Sequence, residues 1–325
     1  MRYIFQLYHN EGKKYCHIRK KRLSFYLYSA AARINKDNGD NMADLYNTEL
    51  IPLRRNGVDL HLSCTKRGAD AGKNILLIHG VTYSSHEFDV NVGDYSLCRF
   101  FADNGYNVWL LDIAGFGGSG KPADGFTVTS DYAAEDIRAA AEAIIRETGC
   151  EKIDVLGWSW GTVTSSRFTA SNPSLVRRLV LYAPIMTRIG ILQVQDDYHV
   201  NTREDAAADF QMKQGGEINY DITEKEVVEA YLEDCRVYDG AGSPNGGRRD
   251  ILSVEKLIDL GALTVPAFII YGSKDPYMNL RLLRGISPSE KLSLSEIPGA
   301  AHCMMLEKPY YKQFRAEVLA FLNEE

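Results

Sequence analysis

The amino-acid sequence predicts an α/β protein: a mostly parallel central sheet with helices on both faces and an inserted helical cap. Three observations carry that prediction. Short continuous apolar runs, such as Ile75-Leu76-Leu77-Ile78, recur along the chain and read as strands buried on both faces. These runs alternate with helix-periodic segments, the pattern of a parallel sheet covered on both sides. The alternation stops between Pro184 and about Ala262, where helix-like pieces and a glycine-rich loop replace it.

In chain order, residues 49–54 and 58–64 read as two strands joined at Asn56-Gly57. That dipeptide favours a type I′ hairpin turn, so the first edge of the sheet is expected to be antiparallel. Residues 74–79 form the first central strand and residues 107–113 the second. An alanine-rich helix over 132–148 leads to a third strand at 153–156, followed by a helix after Trp160. Strands are expected at 178–182, 267–271 and 291–297, and an amphipathic helix at 308–322. Inside the insertion, 203–213 and 224–235 look helical, and 239–247 reads as a loop. The chain thus divides into an extension (1–47), a core (48–184 and 263–325) and a cap (185–262).

At 325 residues the chain suits one α/β domain carrying an insert. A net charge of -6 argues against nucleic acid as the main partner, since phosphate binding needs a basic face. The six cysteines are scattered, with no C-x-x-C pair. Reduced thiols in a cytoplasmic protein are expected, not zinc ligands or a redox dithiol. No apolar run is long enough to span a bilayer, so stable membrane insertion is not expected. Residues 1–35 are basic, with Glu11 as their one acid. They read as a disordered extension or an early start, with Met42 opening the folded protein; a faint secretion-signal pattern and a basic surface arm are the rival readings.

The chemistry concentrates at Gly157-Trp158-Ser159-Trp160-Gly161, a G-x-S-x-G segment placed after a buried strand and before a helix. A sharp strand-to-helix turn forces the serine into strained backbone geometry and lifts its hydroxyl above the sheet. Glycine is needed two residues either side, where a side chain would clash. A serine hydroxyl needs a base. Of seven histidines, His302 lies just past the last strand and His79 ends the first central strand; the sequence favours His302. The base needs an acid to hold its tautomer. Asp275 follows the strand at 267–271, whereas the preceding strand end, Leu181-Tyr182-Ala183-Pro184, offers no carboxylate. The oxyanion donors are expected from the N–H groups of Trp160 and Val81, with Gly80 and Trp158 beside the substrate. This chemistry requires no metal or cofactor.

Five blocks now stand in order: His79-Gly80, Asp112-x-x-Gly115-x-Gly117-x-Ser119, the Gly157–Gly161 turn, the 271–276 acid loop and the 297–302 loop. From about Leu53 to Leu322 they resemble the α/β-hydrolase superfamily. The similar branch holds small-molecule esterases, meta-cleavage C–C hydrolases, epoxide hydrolases, haloalkane dehalogenases and proline iminopeptidases. The resemblance implies a triad of Ser159, Asp275 and His302 and an oxyanion hole at Val81 and Trp160. Serine at the turn, where some of these enzymes carry aspartate, speaks against dehalogenase and epoxide hydrolase chemistry. The His79-Gly80-Val81-Thr82 loop lacks the extra glycines of H-G-G-G esterases.

Gly115-Phe116-Gly117-Gly118-Ser119-Gly120 also fits the dinucleotide pattern G-x-G-x-x-G, but Lys121-Pro122 continues a loop where that fingerprint would open a helix. The expected function is hydrolysis of a small, fairly apolar carboxylic ester. The alternatives are a C–C hydrolase, thioesterase or peptidase with the same triad, and a non-catalytic ligand-binding protein of this fold. The expected partner is a small-molecule substrate; the sequence sets no oligomeric state.

Overall fold

The structure, a computed structural model, describes residues 45–68, 72–190 and 193–324. The expectations for residues 1–44, including a start at Met42, lie outside the described residues.

Eight strands form one sheet: β1 Tyr46–Arg55, β2 Val58–Arg67, β3 Lys73–Ile78, β4 Tyr106–Asp112, β5 Ile153–Trp158, β6 Val176–Tyr182, β7 Ala267–Gly272 and β8 Leu292–Ile297. Their order across the sheet is β1-β2-β4-β3-β5-β6-β7-β8. The β1–β2 and β2–β4 pairs are antiparallel and every other pair is parallel. The β1–β2 turn has φ 48° at Asn56 and 81° at Gly57. Two positive values are what a type I′ turn demands. β1 starts at Tyr46, so residues 46 and 47 belong to the sheet and not to the extension. The Tyr46 hydroxyl donates to Asp103 Oδ1 at 2.7 Å, which fastens this end.

Side chains of a strand alternate between faces, and the core divides accordingly. Ile75 and Leu77 join Phe101, Phe314 and Val318 on one face. Leu76 and Ile78 join Ile137, Ala140, Val163 and Phe168 on the other. The first face is covered by α1 Leu97–Asp103 and the C-terminal helix, the second by α2 Ser130–Thr148 and α3 Trp160–Ser171. Thr129 caps α2 by accepting from Tyr132 N, and Gly149 ends it at φ 71°.

Between β6 and β7 the chain leaves the sheet. Here lie α4 Arg203–Ala207, α5 Lys225–Asp239 and α6 Gly246–Ser253, with a two-residue ribbon pairing Tyr198–His199 with Ser243–Pro244. The helix expected over 203–213 is confined to α4. Past it, Gly215 and Gly216 adopt φ 118° and 87° and turn the chain so that Met212 bridges Ile218. The expected loop at 239–247 instead contains one arm of the ribbon and the start of α6. The short α7 Leu280–Arg284 follows β7, and α8 Tyr311–Leu322 closes the chain.

Among the described residues no helix is long and apolar enough to cross a membrane. Cys98, Cys150, Cys235 and Cys303 carry free thiols; Cys16 lies outside the described residues.

Candidate active site

The turn from β5 into α3 places Ser159 at φ 57°, ψ -123°, a strained conformation for a residue with a side chain. The neighbouring glycines explain how the turn closes. A Cβ on Gly157 would lie 2.3 Å from Gly161 O, and one on Gly161 would lie 2.3 Å from Ile78 O. Ser159 N donates to Tyr182 O at 3.1 Å, anchoring the turn to β6. Opposite, Gly80 lies so close that a Cβ there would sit 3.9 Å from Ser159 Oγ.

His302 and Asp275 come together from the loops after β8 and β7. His302 Nδ1 lies 2.7 Å from Asp275 Oδ2, with the two side chains 3% and 0% exposed. Asp275 Oδ1 accepts from Tyr277 N at 2.9 Å. The loops zip together as Lys274 N donates to Ala300 O and Gly299 N to Ser273 Oγ, both at 2.8 Å. Trp158 Nε1 and the Tyr182 hydroxyl both donate to His302 O, at 3.2 and 2.8 Å. Burial opposes the imidazolium, but the charge and hydrogen bond of Asp275, with Asp209 and Glu307 behind, outweigh it. The pKa of His302 is therefore raised.

Trp158 fixes the backbone of His302 and buries its indole 5.8 Å from the Tyr182 ring. Trp160 is likewise buried, donating from Nε1 to Ser130 Oγ at 2.9 Å. The Ser159 hydroxyl and His302 are not hydrogen-bonded to each other. Bonds of this kind tighten in complexes with substrate.

His79 is locked. Its Nδ1 meets Gly80 O at 2.8 Å and its Nε2 accepts from Ile113 N at 3.0 Å. That arrangement fits one neutral tautomer, and burial lowers its pKa. Among the described residues, the N–H groups of Val81 and Trp160 have no protein acceptor. Gly80 N is held by Glu87 Oε2 at 3.3 Å.

Glu87 is a residue the sequence reading missed. It is 2% exposed, and the Tyr231 hydroxyl contacts Glu87 Oε1 at 3.1 Å and Asp209 Oδ2 at 2.8 Å. A phenol has one proton to give. Two such contacts coexist when one carboxyl keeps its own proton. Burial accordingly pushes Asp209 up to about 6 and Glu87 well above the usual carboxylate range. The signal in the sequence was a lone acid in the otherwise uncharged stretch 79–88. Glu307 was missed as well. Its Oε2 accepts from Ala301 N at 2.9 Å, and burial raises it to about 7.

The glycine-rich segment 115–120 is a loop, as expected from Lys121-Pro122. Asp112 Oδ2 accepts from Gly118 N at 2.9 Å, and its Oδ1 accepts from Ser85 Oγ at 2.6 Å. Gly117 stands at φ 47°, where a Cβ would lie 2.4 Å from Asp112 Oδ2. Asp239, at the end of α5, accepts from Gly117 N at 3.0 Å and from Ser84 N at 2.9 Å. The loop therefore joins insertion to core. Among the described residues no cluster of His, Cys, Asp and Glu is arranged to hold a metal.

The family model for serine aminopeptidases (S33) matches residues 69–309. The chain belongs to that family. It is 31% identical over 122 residues to gastric triacylglycerol lipase of Mus musculus, covering 34% of this chain and 31% of that protein. It is 24% identical over 132 residues to epoxide hydrolase 3 of Siraitia grosvenorii, covering 41% of this chain and 37% of that protein. The chain thus spans about a third of the length of the curated relatives it matches. Among solved structures, bromoperoxidase from Bacillus anthracis has TM-score 0.60 at 18% identity, covering 86% of this chain and all (100%) of that one. An epoxide hydrolase from Vigna radiata has TM-score 0.60 at 15% identity, covering 87% and 99%. The chain has the α/β-hydrolase fold.

Proposed function

We propose that the protein is a serine hydrolase that cleaves a small, fairly apolar carboxylic ester through an acyl-enzyme on Ser159. One observation carries this reading: a buried His302–Asp275 pair at 2.7 Å on the sheet rim that carries the strained Ser159. Ser159 Oγ attacks the ester carbonyl as His302 Nε2 takes its proton. Asp275 keeps the imidazole in the Nδ1–H tautomer and stabilises the imidazolium. The N–H groups of Trp160 and Val81 receive the oxyanion; one such donor supplies about 2.7–4 kcal/mol to a transition state. His302 returns the proton to the departing alcohol, then activates the water that hydrolyses the acyl-enzyme.

The family's description as serine aminopeptidases favours peptide bonds as a second substrate class. We place the protein in the cytoplasm with a small molecule as its partner, on the free thiols and the net charge of -6. The test is fluorophosphonate labelling together with turnover of p-nitrophenyl esters, thioesters, aminoacyl amides and a β-diketone. Wild type should label and prefer an ester, and Ser159→Ala should do neither. Unchanged ester turnover by Ser159→Ala would overturn the proposal.

A further inference from the structure

Arg248 lies in the first turn of α6, and its guanidinium has no ion-pair partner among the described residues. Its Nη1 donates to Ser243 Oγ at 3.0 Å and to Asn245 Oδ1 at 3.1 Å. Nη2 is closed off from solvent and has no hydrogen-bond partner, and no bond is made by Nε. One nitrogen is thus anchored to the protein, while the Nε/Nη2 edge, the edge that grips a carboxylate through two parallel bonds, is unused. Burial lowers the pKa of this guanidinium to about 10, against the opposing influence of Asp205 and Tyr83. Arg248 as a whole is half-buried, but at Nη2 its charge has neither water nor a protein acceptor, which is costly to leave uncompensated.

The carboxylate whose charge acts on it, Asp205, is committed elsewhere, as are Asp239 and Asp250 in the same insertion. Asp205 Oδ2 lies 2.9 Å from His199 Nε2 and accepts from Thr202 N and Oγ, both at 2.9 Å. Asp239 serves Ser84 and Gly117. Asp250 accepts from Ser130 N at 2.7 Å.

Its position ties it to the candidate active site on two sides. The preceding residue, Gly247, packs so tightly on Trp160 that a Cβ would lie 2.5 Å from the indole, and Trp160 follows the nucleophile. On the other side Ser243 Oγ lies 2.9 Å from Asn201 Oδ1, and Asn201 Nδ2 donates to Thr82 O at 2.9 Å, next to Val81.

We propose that Arg248, with Ser243 and Asn245 fixing its guanidinium, is the subsite for an anionic group on the substrate, placed away from the scissile bond. The substrate class is then a carboxylate-bearing ester, such as the monoester of a short dicarboxylic acid. This rests on the reading of Ser159 as an esterase nucleophile and deepens it by replacing the fairly apolar ester with one that carries a charge away from the scissile bond.

Two pairs of esters test it and also locate the anion. Mono-p-nitrophenyl glutarate against p-nitrophenyl valerate places the charge on the acyl side, and 4-acetoxybenzoate against phenyl acetate places it on the leaving group. In wild type, one pair should show a preference for the charged ester of about 10- to 100-fold in kcat/KM, the range for a charged hydrogen-bonded contact. Arg248→Gln should bring that ratio below about threefold, and Arg248→Lys should retain part of it, as a point charge without the fork does. A wild-type enzyme without preference in either pair, or a preference undiminished in Arg248→Gln, would overturn the subsite. Because the ratio is taken within each protein, a loss of folded enzyme does not imitate the result, and wild type alone can refute the idea.

Titration of Ser159→Ala with glutarate by calorimetry needs no turnover. Binding weakened about tenfold or more when Arg248→Gln is added supports the subsite even if every ester proves inert, in which case the Ser159 reading falls alone. Equal binding with and without Arg248, or none with it, overturns the subsite.

Discussion

Two histidines stand at the carboxyl ends of parallel strands on the same rim, both buried, and the protein treats them in opposite ways. His79, after β3, has both ring nitrogens tied to backbone groups, Gly80 O and Ile113 N, and burial lowers its pKa. His302, after β8, meets a carboxylate on one nitrogen, has no protein partner on the other among the described residues, and its pKa is raised. Burial is common to both, so burial does not make a base. What separates them is the anion on Nδ1 and the open Nε2, features set by the loops around each ring and not by the strand each follows.

Substitution at the two rings should separate them most widely. His302→Ala is expected to lower kcat on a p-nitrophenyl ester by roughly 10⁶-fold, as removal of a triad base does elsewhere, with the folded protein retained. His79→Ala should show the reverse: modest kinetic loss, but a lower urea midpoint, since each orphaned partner costs about 1–3 kcal/mol. A folded His79→Ala as inactive as His302→Ala would break the comparison.

Asp275→Asn comes next, with an expected loss of about 10⁴-fold in kcat from a misoriented tautomer. The pH profile follows. On the proposed mechanism His302 acts as a neutral base, so its raised pKa is expected to place the acid limb of kcat/KM above pH 6.5. Glu307→Gln removes one of the charges that raise it, so the limb should move to lower pH while the Gln oxygen still accepts from Ala301 N. A limb unmoved, or moved upward, would show that Glu307 does not act on His302.

On the His79 side, Glu87→Gln preserves an acceptor for Gly80 N without the ionisable proton. Glu87 has a raised folded pKa, so its stability contribution is complete below the unfolded value and is lost as pH rises toward the folded one. The Tm of Glu87→Gln relative to wild type should therefore increase between pH 5 and pH 9; a constant difference would deny the buried proton. The smallest effect belongs to Trp158→Phe. It deletes one of two donors to His302 O and should cost about 0.5–1.5 kcal/mol of stability, with kcat falling only a few-fold because Tyr182 still holds that carbonyl.

The sequence made the His302 side of the rim more legible than the His79 side. Strand ends can be read from apolar runs, and β7 and β8 each deliver one chemically suitable residue to the rim, Asp275 and His302. The hairpin was legible because Asn56-Gly57 encodes its turn in two residues. Glu87 and Tyr231 were not legible, since their contact spans 144 residues of chain; Asp209 and Arg248 bond nearer along the chain, to Tyr231 and to Ser243 and Asn245, but nothing in the local sequence marks either as lying away from solvent. An arginine in an insertion looks like any surface arginine until its lack of a carboxylate is visible. The same blindness shortened α4: its capping box at Thr202 and Asp205 was local, but the turn at Gly215-Gly216 pairs Met212 with Ile218 and ends the helical stretch early.

The single carboxylate of Asp239 has a consequence for engineering. It closes α5 in the insertion yet is satisfied by two stretches of the core, at Ser84 and at Gly117. A chimera that imported another protein's insertion would strand both N–H groups unless its last helix ended in an acid at the same spot. Transplanting specificity onto this scaffold therefore means moving three separated pieces of chain together, and recombination at the obvious junctions should yield mostly inactive hybrids.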